Sequence, residues 1–282
     1  MSPLTSLPPI PNTTSPDTLL ILHTSVPTWP RASSSTSSGP VHICVLDSSF
    51  NPPTLAHLAM ASSTFPPSTS STPPQPQITS RDDEYTALLL LFSTTNVDKS
   101  PKATDPSLAQ RAEMMLLLAR RLSTTPSTSS QPVAIGLLNQ PTFVGKSRVI
   151  HDYLRTQQEG LDVRLTFLIG TDTLTRFFVP KYYASQEGGM DGALRRFFDE
   201  GSTVVSARRG NERVEEEVLE WEVVGRWARE GRVRLLGNGD EEWVGISSTK
   251  VREAVGRGDG AGLRGLVMDE VADYVESEGL YR

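Results

Sequence analysis

The apolar positions of the chain fall into six short runs that predict β-strands. Five of the runs lack strict alternation with polar residues, which is typical of strands buried on both faces of a parallel sheet. The predicted strands cover residues 41–46, 87–92, 133–138, 163–169, 202–206 and 232–236.

Amphipathic stretches separate these runs. Apolar residues at helical spacing predict a helix over 106–122, and further helices are predicted over 212–229 and 268–278. Because strand and helix alternate along the chain, we expect an α/β fold with a doubly wound, mostly parallel sheet. Ligands bind beyond the carboxyl ends of the strands in such folds, so the residues that follow each strand are the candidates for function.

Segments rich in Ser, Thr and Pro interrupt the pattern. We expect residues 1–40 to be an N-terminal extension that is largely disordered, and residues 41–282 to form one domain. Low-complexity insertions at about 62–80 and 123–132 bury too little apolar surface to offset their ordering entropy, so they are predicted to be surface loops.

Composition narrows the class of protein. The net charge of −6 argues against a general nucleic-acid binder, and the single cysteine, Cys44, excludes an intramolecular disulfide and a Cys-rich zinc site. No apolar run is long enough to span a bilayer, and the first residues carry no targeting pattern. We expect a protein of the cytoplasm or the nucleus, with no membrane or nucleic-acid partner.

The loop after the first predicted strand joins small polar residues to a helix start. Residues 47–57 read DSSFNPPTLAH, and a helix beginning near Thr54 would place Thr54 and His57 on one face. A helix start binds phosphate through its backbone N–H groups, and a histidine there adds a donor. A capping or core role for His57 is the alternative. The segment resembles the Gly-Ser-Phe-Asn-Pro-x-(His/Thr)-x-x-His motif of nicotinamide mononucleotide adenylyltransferases, with Ser48 in place of the glycine.

A second motif lies near the C-terminus. Residues 246–252 read ISSTKVR, and a helix is predicted to begin near Thr249. Lys250 and Arg252 would oppose the helix dipole in its first turn, which a bound polyphosphate would explain. The segment resembles the Ile-Ser-Ser-Thr-x-(Ile/Val)-Arg motif of the same family, which binds the ATP phosphates. A capped surface helix with solvated charges is the alternative.

The stretch between the motifs resembles the family's Gly-x-Asp-x-Leu…Phe-x-x-Pro-x-x-Trp pattern. The resemblance implies that Asp172, close behind Gly170, contacts the dinucleotide and that Tyr183, in the Trp position, stacks on the nicotinamide ring. A core or rim role for Tyr183 is the alternative. Residues 140–147 lie where the family has an acid-containing, ring-stacking segment, but Gly145 occupies the acidic position.

Other basic residues match family positions. The resemblance places Arg208 at the carboxyl end of a strand, and Lys99 or Lys102 where the family has a phosphate-contacting lysine. Arg111 matches a helix position of the family, and a structural ion pair is an equal alternative.

Taken together, the resemblance implies a Rossmann-like nucleotidyltransferase fold and adenylyl transfer from ATP to nicotinamide mononucleotide, forming NAD and pyrophosphate. Mg²⁺ would be held by the substrate phosphates, without a protein metal site. The alternatives are another acceptor (nicotinate mononucleotide or phosphopantetheine) and an ATP-binding or ATP-hydrolysing regulatory protein without an acceptor site. A homo-oligomer is left open. The implied catalytic residues are His57, Thr54 and Arg252. The implied nucleotide-binding residues are Ser48, Ser49, Phe50, Lys99, Lys102, Gly170, Asp172, Tyr183, Arg208, Ser248, Thr249 and Lys250.

Overall fold

Seven strands of the chain form one sheet flanked by helices in the computed structural model. The residues that the structure describes are 7–8, 10, 15–31, 39–66, 84–93, 105–158, 160–207, 217–218, 221–236 and 242–282. The strands are β1 (Leu20–Thr24), β2 (Val41–Ser48), β3 (Ala87–Ser93), β4 (Val133–Leu138), β5 (Val163–Gly170), β6 (Ser202–Ala207) and β7 (Val233–Leu236).

Helices cover both faces of this sheet. Those within the described ranges are α1 (Leu55–Ala61), α2 (Leu108–Thr124), α3 (Phe143–Gln157), α4 (Thr171–Phe177), α5 (Gly189–Asp199), α6 (Glu222–Arg229), α7 (Ser248–Gly256), α8 (Gly260–Arg264) and α9 (Asp269–Ser277). A 3₁₀ turn spans Pro180–Tyr183. None of the described helices is long and apolar enough to cross a membrane.

The strand order is β1-β4-β3-β2-β5-β6-β7, and every neighbouring pair is parallel except β1 with β4. The chain moves outward from β2 in one direction through β3 and β4, then returns to the other side through β5. The predicted doubly wound, mostly parallel sheet is therefore confirmed. Its topological switch point lies between β2 and β5, where such folds bind ligands.

Two apolar clusters lie on the two faces of the sheet, and β2 contributes to both. Ile43 and Val45 face one cluster, whereas Cys44 and Leu46 face the other. All four side chains are at most 2% exposed, as expected for a central strand buried on both faces. Burial raises the pKa of the Cys44 thiol to about 12, so this cysteine is a packing residue.

The N-terminal segment is more ordered than predicted. Residues 15–31 are described, and they include β1, which pairs antiparallel with β4. Leu22 and Trp29 are buried, and the indole of Trp29 donates a hydrogen bond to the backbone oxygen of Leu88. The prediction that residues 1–40 are largely disordered is wrong for this stretch, because its few apolar residues suffice to cover one sheet edge.

The two predicted insertions are also partly ordered. Helix α2 continues to Thr124, and the buried Thr128 donates its hydroxyl hydrogen to the backbone oxygen of Leu122. The described residues 62–66 include Phe65, whose ring contacts His42 edge-on. One apolar residue or one satisfied hydroxyl anchors each described part, and the assignment of both insertions to surface loops stays a prediction. The rest of the first insertion lies outside the described residues.

Candidate active site

A cleft of about 600 Å³ opens at the carboxyl ends of β2 and β5, beside the switch point. This size falls within the range of small-molecule sites. Most of the predicted site residues that the structure describes line this cleft: Ser48, Ser49, Thr54, His57, Gly170, Asp172, Tyr183, Ser248, Thr249, Lys250 and Arg252.

Helix α1 begins directly after the first motif and positions His57. Thr54 is its N-cap, and its backbone N–H donates to Nδ1 of His57 over 3.0 Å. The Thr54 hydroxyl lies 2.8 Å from the same nitrogen, and this side chain is fully buried. The predicted placement of Thr54 and His57 on one helical face is confirmed. Because its hydroxyl engages His57, Thr54 positions the imidazole, and it has no exposed surface for a phosphate.

The capping interaction also fixes the tautomer of His57. Nδ1 accepts the Thr54 backbone N–H, so the neutral ring carries its proton on Nε2. Nε2 lies 2.9 Å from Oγ of Ser48, to which it donates. His57 is therefore a capping histidine, the alternative drawn from the sequence, and it also presents an N–H donor at the wall of the cleft.

Backbone strain in the first motif lies at Phe50 and not at Ser48. Ser48 is the last residue of β2, outside the left-handed region, so the substitution for glycine costs no backbone strain there. Phe50 instead has a φ of +43°, a conformation that a non-glycine residue rarely adopts. Its ring is fully buried and is absent from the cleft wall. The prediction that Phe50 contacts the nucleotide is wrong for its side chain, which packs 5.1 Å from the His57 ring, centroid to centroid.

The two motifs, about 200 residues apart in sequence, are hydrogen-bonded to each other. Arg252 donates through Nη1 to the backbone oxygen of Asn51 over 2.6 Å, and Ser248 donates its hydroxyl hydrogen to the backbone oxygen of Pro52 over 2.8 Å. Arg252 therefore holds the first motif in place while lining the cleft. The Ser248 hydroxyl is occupied by its hydrogen bond to the backbone. A role for Arg252 toward phosphate remains a prediction.

Helix α7 starts one residue earlier than predicted. Ser247 is the N-cap and accepts a hydrogen bond from the backbone N–H of Lys250 over 3.3 Å. Thr249 and Lys250 are exposed at the mouth of the cleft. The exposed Lys250 and the half-buried Arg252 lie close to this helix start, no acidic residue lies in its first turn, and together they form a positively charged rim.

The segment after β5 contributes a second side of the cleft. Gly170 is the N-cap of α4, and Asp172 lies exposed in its first turn. Tyr183 lines the cleft but is only 3% exposed, and its hydroxyl donates to the backbone oxygen of Phe177 over 2.5 Å. Burial raises the pKa of this phenol above its ordinary value. Tyr183 is thus a core residue whose ring edges the cleft, and ring stacking by it stays a prediction.

Two ionisable residues in the wall were missed by the sequence reasoning. Asp47, the second-to-last residue of β2, accepts a hydrogen bond from Lys146 of α3 over 2.5 Å, and the two side chains are 7% and 5% exposed. Lys146 follows Gly145, where an acid was expected, and a Cβ on Gly145 would lie 2.3 Å from Oε1 of Gln140. A side chain at position 145 would therefore have to displace the Gln140 side chain, and with glycine here the charge facing the cleft is the cation of Lys146. In the sequence, only the position of Lys146 beside the unexplained Gly145 signals this cation.

The remaining basic residues have varied outcomes. Lys99, Lys102 and Arg208 lie outside the described residues, so their predicted phosphate contacts stay predictions. Arg111 donates through Nε and Nη2 to the backbone oxygen of Ser49, at 3.1 and 2.6 Å. It thereby anchors the first motif from behind the cleft, and burial lowers its pKa.

The carboxylates of the cleft suit a magnesium ion carried by nucleotide phosphates. Within the described ranges, no three His, Cys, Asp or Glu side chains come together as a metal site. Asp47 is engaged by Lys146, while Asp172 is exposed at the cleft and has no ion-pair partner among the described residues. One exposed carboxylate at a cleft with a cationic rim would fit Mg²⁺, which keeps most of its ligands as water and phosphate oxygen.

The comparisons with known proteins agree with this architecture. A Schizosaccharomyces pombe protein named "Putative nicotinamide mononucleotide adenylyltransferase" is 28% identical over 252 residues, which cover 85% of this chain and 86% of that protein. The Bos taurus "Nicotinamide/nicotinic acid mononucleotide adenylyltransferase 1" is 29% identical over 129 residues, covering 45% of this chain and 40% of that protein. No family model matches the chain.

Solved structures share the fold. Plasmodium falciparum nicotinic acid mononucleotide adenylyltransferase complexed with NaAD has a TM-score of 0.52 and 14% identity, covering 86% of this chain and 97% of that one. The same protein complexed with APC has a TM-score of 0.53 and 13% identity over the same shares. The chain is thus similar in sequence and in fold to mononucleotide adenylyltransferases, and its two motifs meet at the switch point of this fold.

Proposed function

We propose that the chain transfers the adenylyl group of ATP to nicotinamide mononucleotide, forming NAD and pyrophosphate. The observation that carries the proposal is the meeting of the two motifs at one cleft. The Nε2–H of His57 and the cations Lys250 and Arg252 line the same cleft as the aromatic side chains of Phe143 and Tyr183. A cleft with a cationic rim and aromatic walls suits substrates that join phosphates to flat heteroaromatic rings.

In this reaction an oxygen of the mononucleotide 5′-phosphate attacks the α-phosphorus of ATP in line. The bond from that phosphorus to the bridging oxygen breaks, and pyrophosphate leaves with the electron pair. The attacking phosphate is already deprotonated at neutral pH, so no general base is needed. The protein contributes positioning and charge stabilisation.

Each side chain then has a defined task. The His57 Nε2–H exchanges Ser48 for a non-bridging oxygen of the α-phosphate, and Lys250 and Arg252 hold the β- and γ-phosphates. Asp172 would hold Mg²⁺ through water or directly, and the ion when bound neutralises part of the phosphate charge.

The test is an acceptor panel. Purified protein with ATP and Mg²⁺ is incubated with nicotinamide mononucleotide, nicotinate mononucleotide or phosphopantetheine, and products are identified by mass. We expect NAD and pyrophosphate in equal amounts from the first acceptor. Pyrophosphate with a different adenylylated product would assign another acceptor, and ADP and phosphate without any dinucleotide would support the regulatory ATPase alternative. His57→Ala serves as the negative control.

A further inference from the structure

The ion pair of Asp47 and Lys146 has unused bonding capacity at the cleft. The Lys146 ammonium has three N–H donors, and the described residues offer it one acceptor, Oδ2 of Asp47, and the ring face of Phe143 at 4.7 Å. Oδ1 of Asp47 accepts the hydroxyl hydrogen of Ser93 over 2.8 Å. A carboxylate accepts about four hydrogen bonds, so both partners retain capacity toward a ligand.

The pair is an unusual choice for a cleft wall on stability grounds. Both side chains are almost fully removed from water, and desolvation offsets most of the attraction in buried pairs. An apolar pair of similar size would serve the fold as well. The arrangement makes chemical sense if a polar group of the substrate approaches it.

Aromatic residues surround the pair on the cleft side. Phe143 lies under the Lys146 ammonium, and its ring centroid is 5.8 Å from that of Phe177. Phe177 in turn accepts the Tyr183 hydroxyl hydrogen through its backbone oxygen. Asp47 directly precedes Ser48, whose hydroxyl contacts His57. The pair therefore stands one residue from the phosphate side and adjoins the aromatic side, where a substituted ring of the acceptor would lie.

We infer that Asp47 and Lys146 recognise the substituent of the acceptor's pyridine ring and make the chain selective for a carboxamide over a carboxylate. This inference rests on the proposed function. A carboxamide offers an NH₂ donor to Asp47 and a carbonyl oxygen to Lys146, so it matches both partners. A carboxylate offers only acceptors, so one of its oxygens must face the Asp47 carboxylate. Specificity of this kind comes from the unpaired or repelled group in the wrong complex.

The experiment removes each charge separately and compares the two acceptors. Asp47→Asn leaves an uncompensated ammonium and is expected to raise the ratio of kcat/KM for nicotinate mononucleotide to that for nicotinamide mononucleotide by roughly tenfold or more. Lys146→Met leaves an uncompensated carboxylate and is expected to lower the same ratio. The KM for ATP should stay within about twofold in both variants.

Arg148→Met is the matched control. Arg148 lies on the same helix, its side chain is 59% exposed, and it pairs with Asp17 away from the cleft. Its removal deletes a cation from α3 without changing the wall, so the acceptor ratio should stay at the wild-type value.

The outcomes separate the inference from the proposed function. If the wild-type protein makes no dinucleotide from either acceptor, the proposed function fails. If it makes dinucleotide but the ratio moves in the same direction in both variants, or in neither, the inference is overturned. The double variant Asp47→Asn with Lys146→Met leaves no charge unpaired, which guards against misfolding of a single variant. Because the Asp47 carboxylate no longer repels nicotinate, the ratio of the double variant should lie between those of the wild type and of Asp47→Asn, and a ratio equal to or below that of the wild type would also overturn the inference.

Discussion

The hydroxyl of Ser48 lies 2.9 Å from Nε2 of His57, the nitrogen that carries the ring proton. Nε2–H can donate to a phosphate oxygen only after its hydrogen bond to Ser48 breaks. A hydrogen bond between neutral groups contributes about 0.5–1.5 kcal/mol. The residue that departs from the family motif is therefore the one that competes with substrate for the histidine.

Ser48→Ala is expected to raise kcat by about two- to tenfold, because the histidine no longer has to exchange partners. Steady-state kinetics of dinucleotide formation measure the change. Ser63→Ala is the matched control, since this serine follows α1, lies outside the cleft wall and donates its hydroxyl hydrogen to the backbone oxygen of Met60. A fall in kcat for Ser48→Ala would show that the serine orients the imidazole productively.

His57→Ala is expected to lower kcat by about 10²–10³ while weakening ATP binding far less. The variant loses one preorganised donor to the transferring phosphoryl group. It also loses the cap on the Thr54 backbone N–H, so a modest fall in melting temperature should accompany it. His23→Ala, on β1 and outside the cleft wall, should keep full turnover. A His57 variant with near wild-type turnover removes the residue from the mechanism.

Lys250→Ala is expected to raise the KM for ATP by about three- to tenfold with a smaller effect on kcat. The side chain is exposed, so salt screens its attraction to phosphate, and the difference from wild type should shrink as ionic strength rises. Arg257→Ala, at the end of the same helix and outside the cleft wall, provides the comparison. A salt-independent effect, or an equal effect at Arg257, would contradict a phosphate role for Lys250.

Tyr183→Phe separates packing from substrate contact. The hydroxyl satisfies the backbone oxygen of Phe177 in a buried setting, so its loss should lower the free energy of unfolding by about 1–3 kcal/mol. The ring is retained, so the KM for both substrates should not change. Chemical denaturation and steady-state kinetics together check this. Unchanged stability with a raised KM for the mononucleotide would mean that the hydroxyl binds substrate.

Phe65 is the residue of the first low-complexity insertion that packs against the rest of the fold. Its ring contacts His42 and Tyr85 edge-on, and the Arg234 guanidinium lies 4.2 Å above its centroid. Phe65→Ala should therefore lower the free energy of unfolding by about 1–3 kcal/mol, because the side chain is partly buried. Deleting residues 68–79 should change the melting temperature little, since their composition contributes little core. Destabilisation by the deletion alone would contradict this boundary.

Sequence patterns predicted the sheet well where burial dictates composition. The parallel strands were identified because residues such as Ile43 and Cys44 face two different cores, which leaves no polar alternation. Strand β1 was missed because it covers only an edge and lies among Pro- and Ser-rich residues. Helix α3 was missed because its first turn contains Gly145 in place of an apolar signal.

Within the site, only contacts between residues that are close together in the sequence could be predicted. Thr54 and His57 are one turn apart, so their contact follows from the sequence. The contact of Asp47 with Lys146 joins residues 99 positions apart and depends on how α3 packs on the sheet. Whether Phe50 points into the cleft or into the core likewise depends on a positive φ that composition does not signal.

Strand β1 also affects how this molecule meets its neighbours. It pairs with β4 from Leu20 opposite Leu137 to Thr24 opposite Ala134 and so occupies the hydrogen-bonding groups along that side of β4. A chain trimmed to begin at residue 41 would keep both motifs but leave those N–H and C=O groups open. Open strands of this kind recruit strands from other molecules, so the trimmed protein would be prone to aggregate even with its catalytic residues intact.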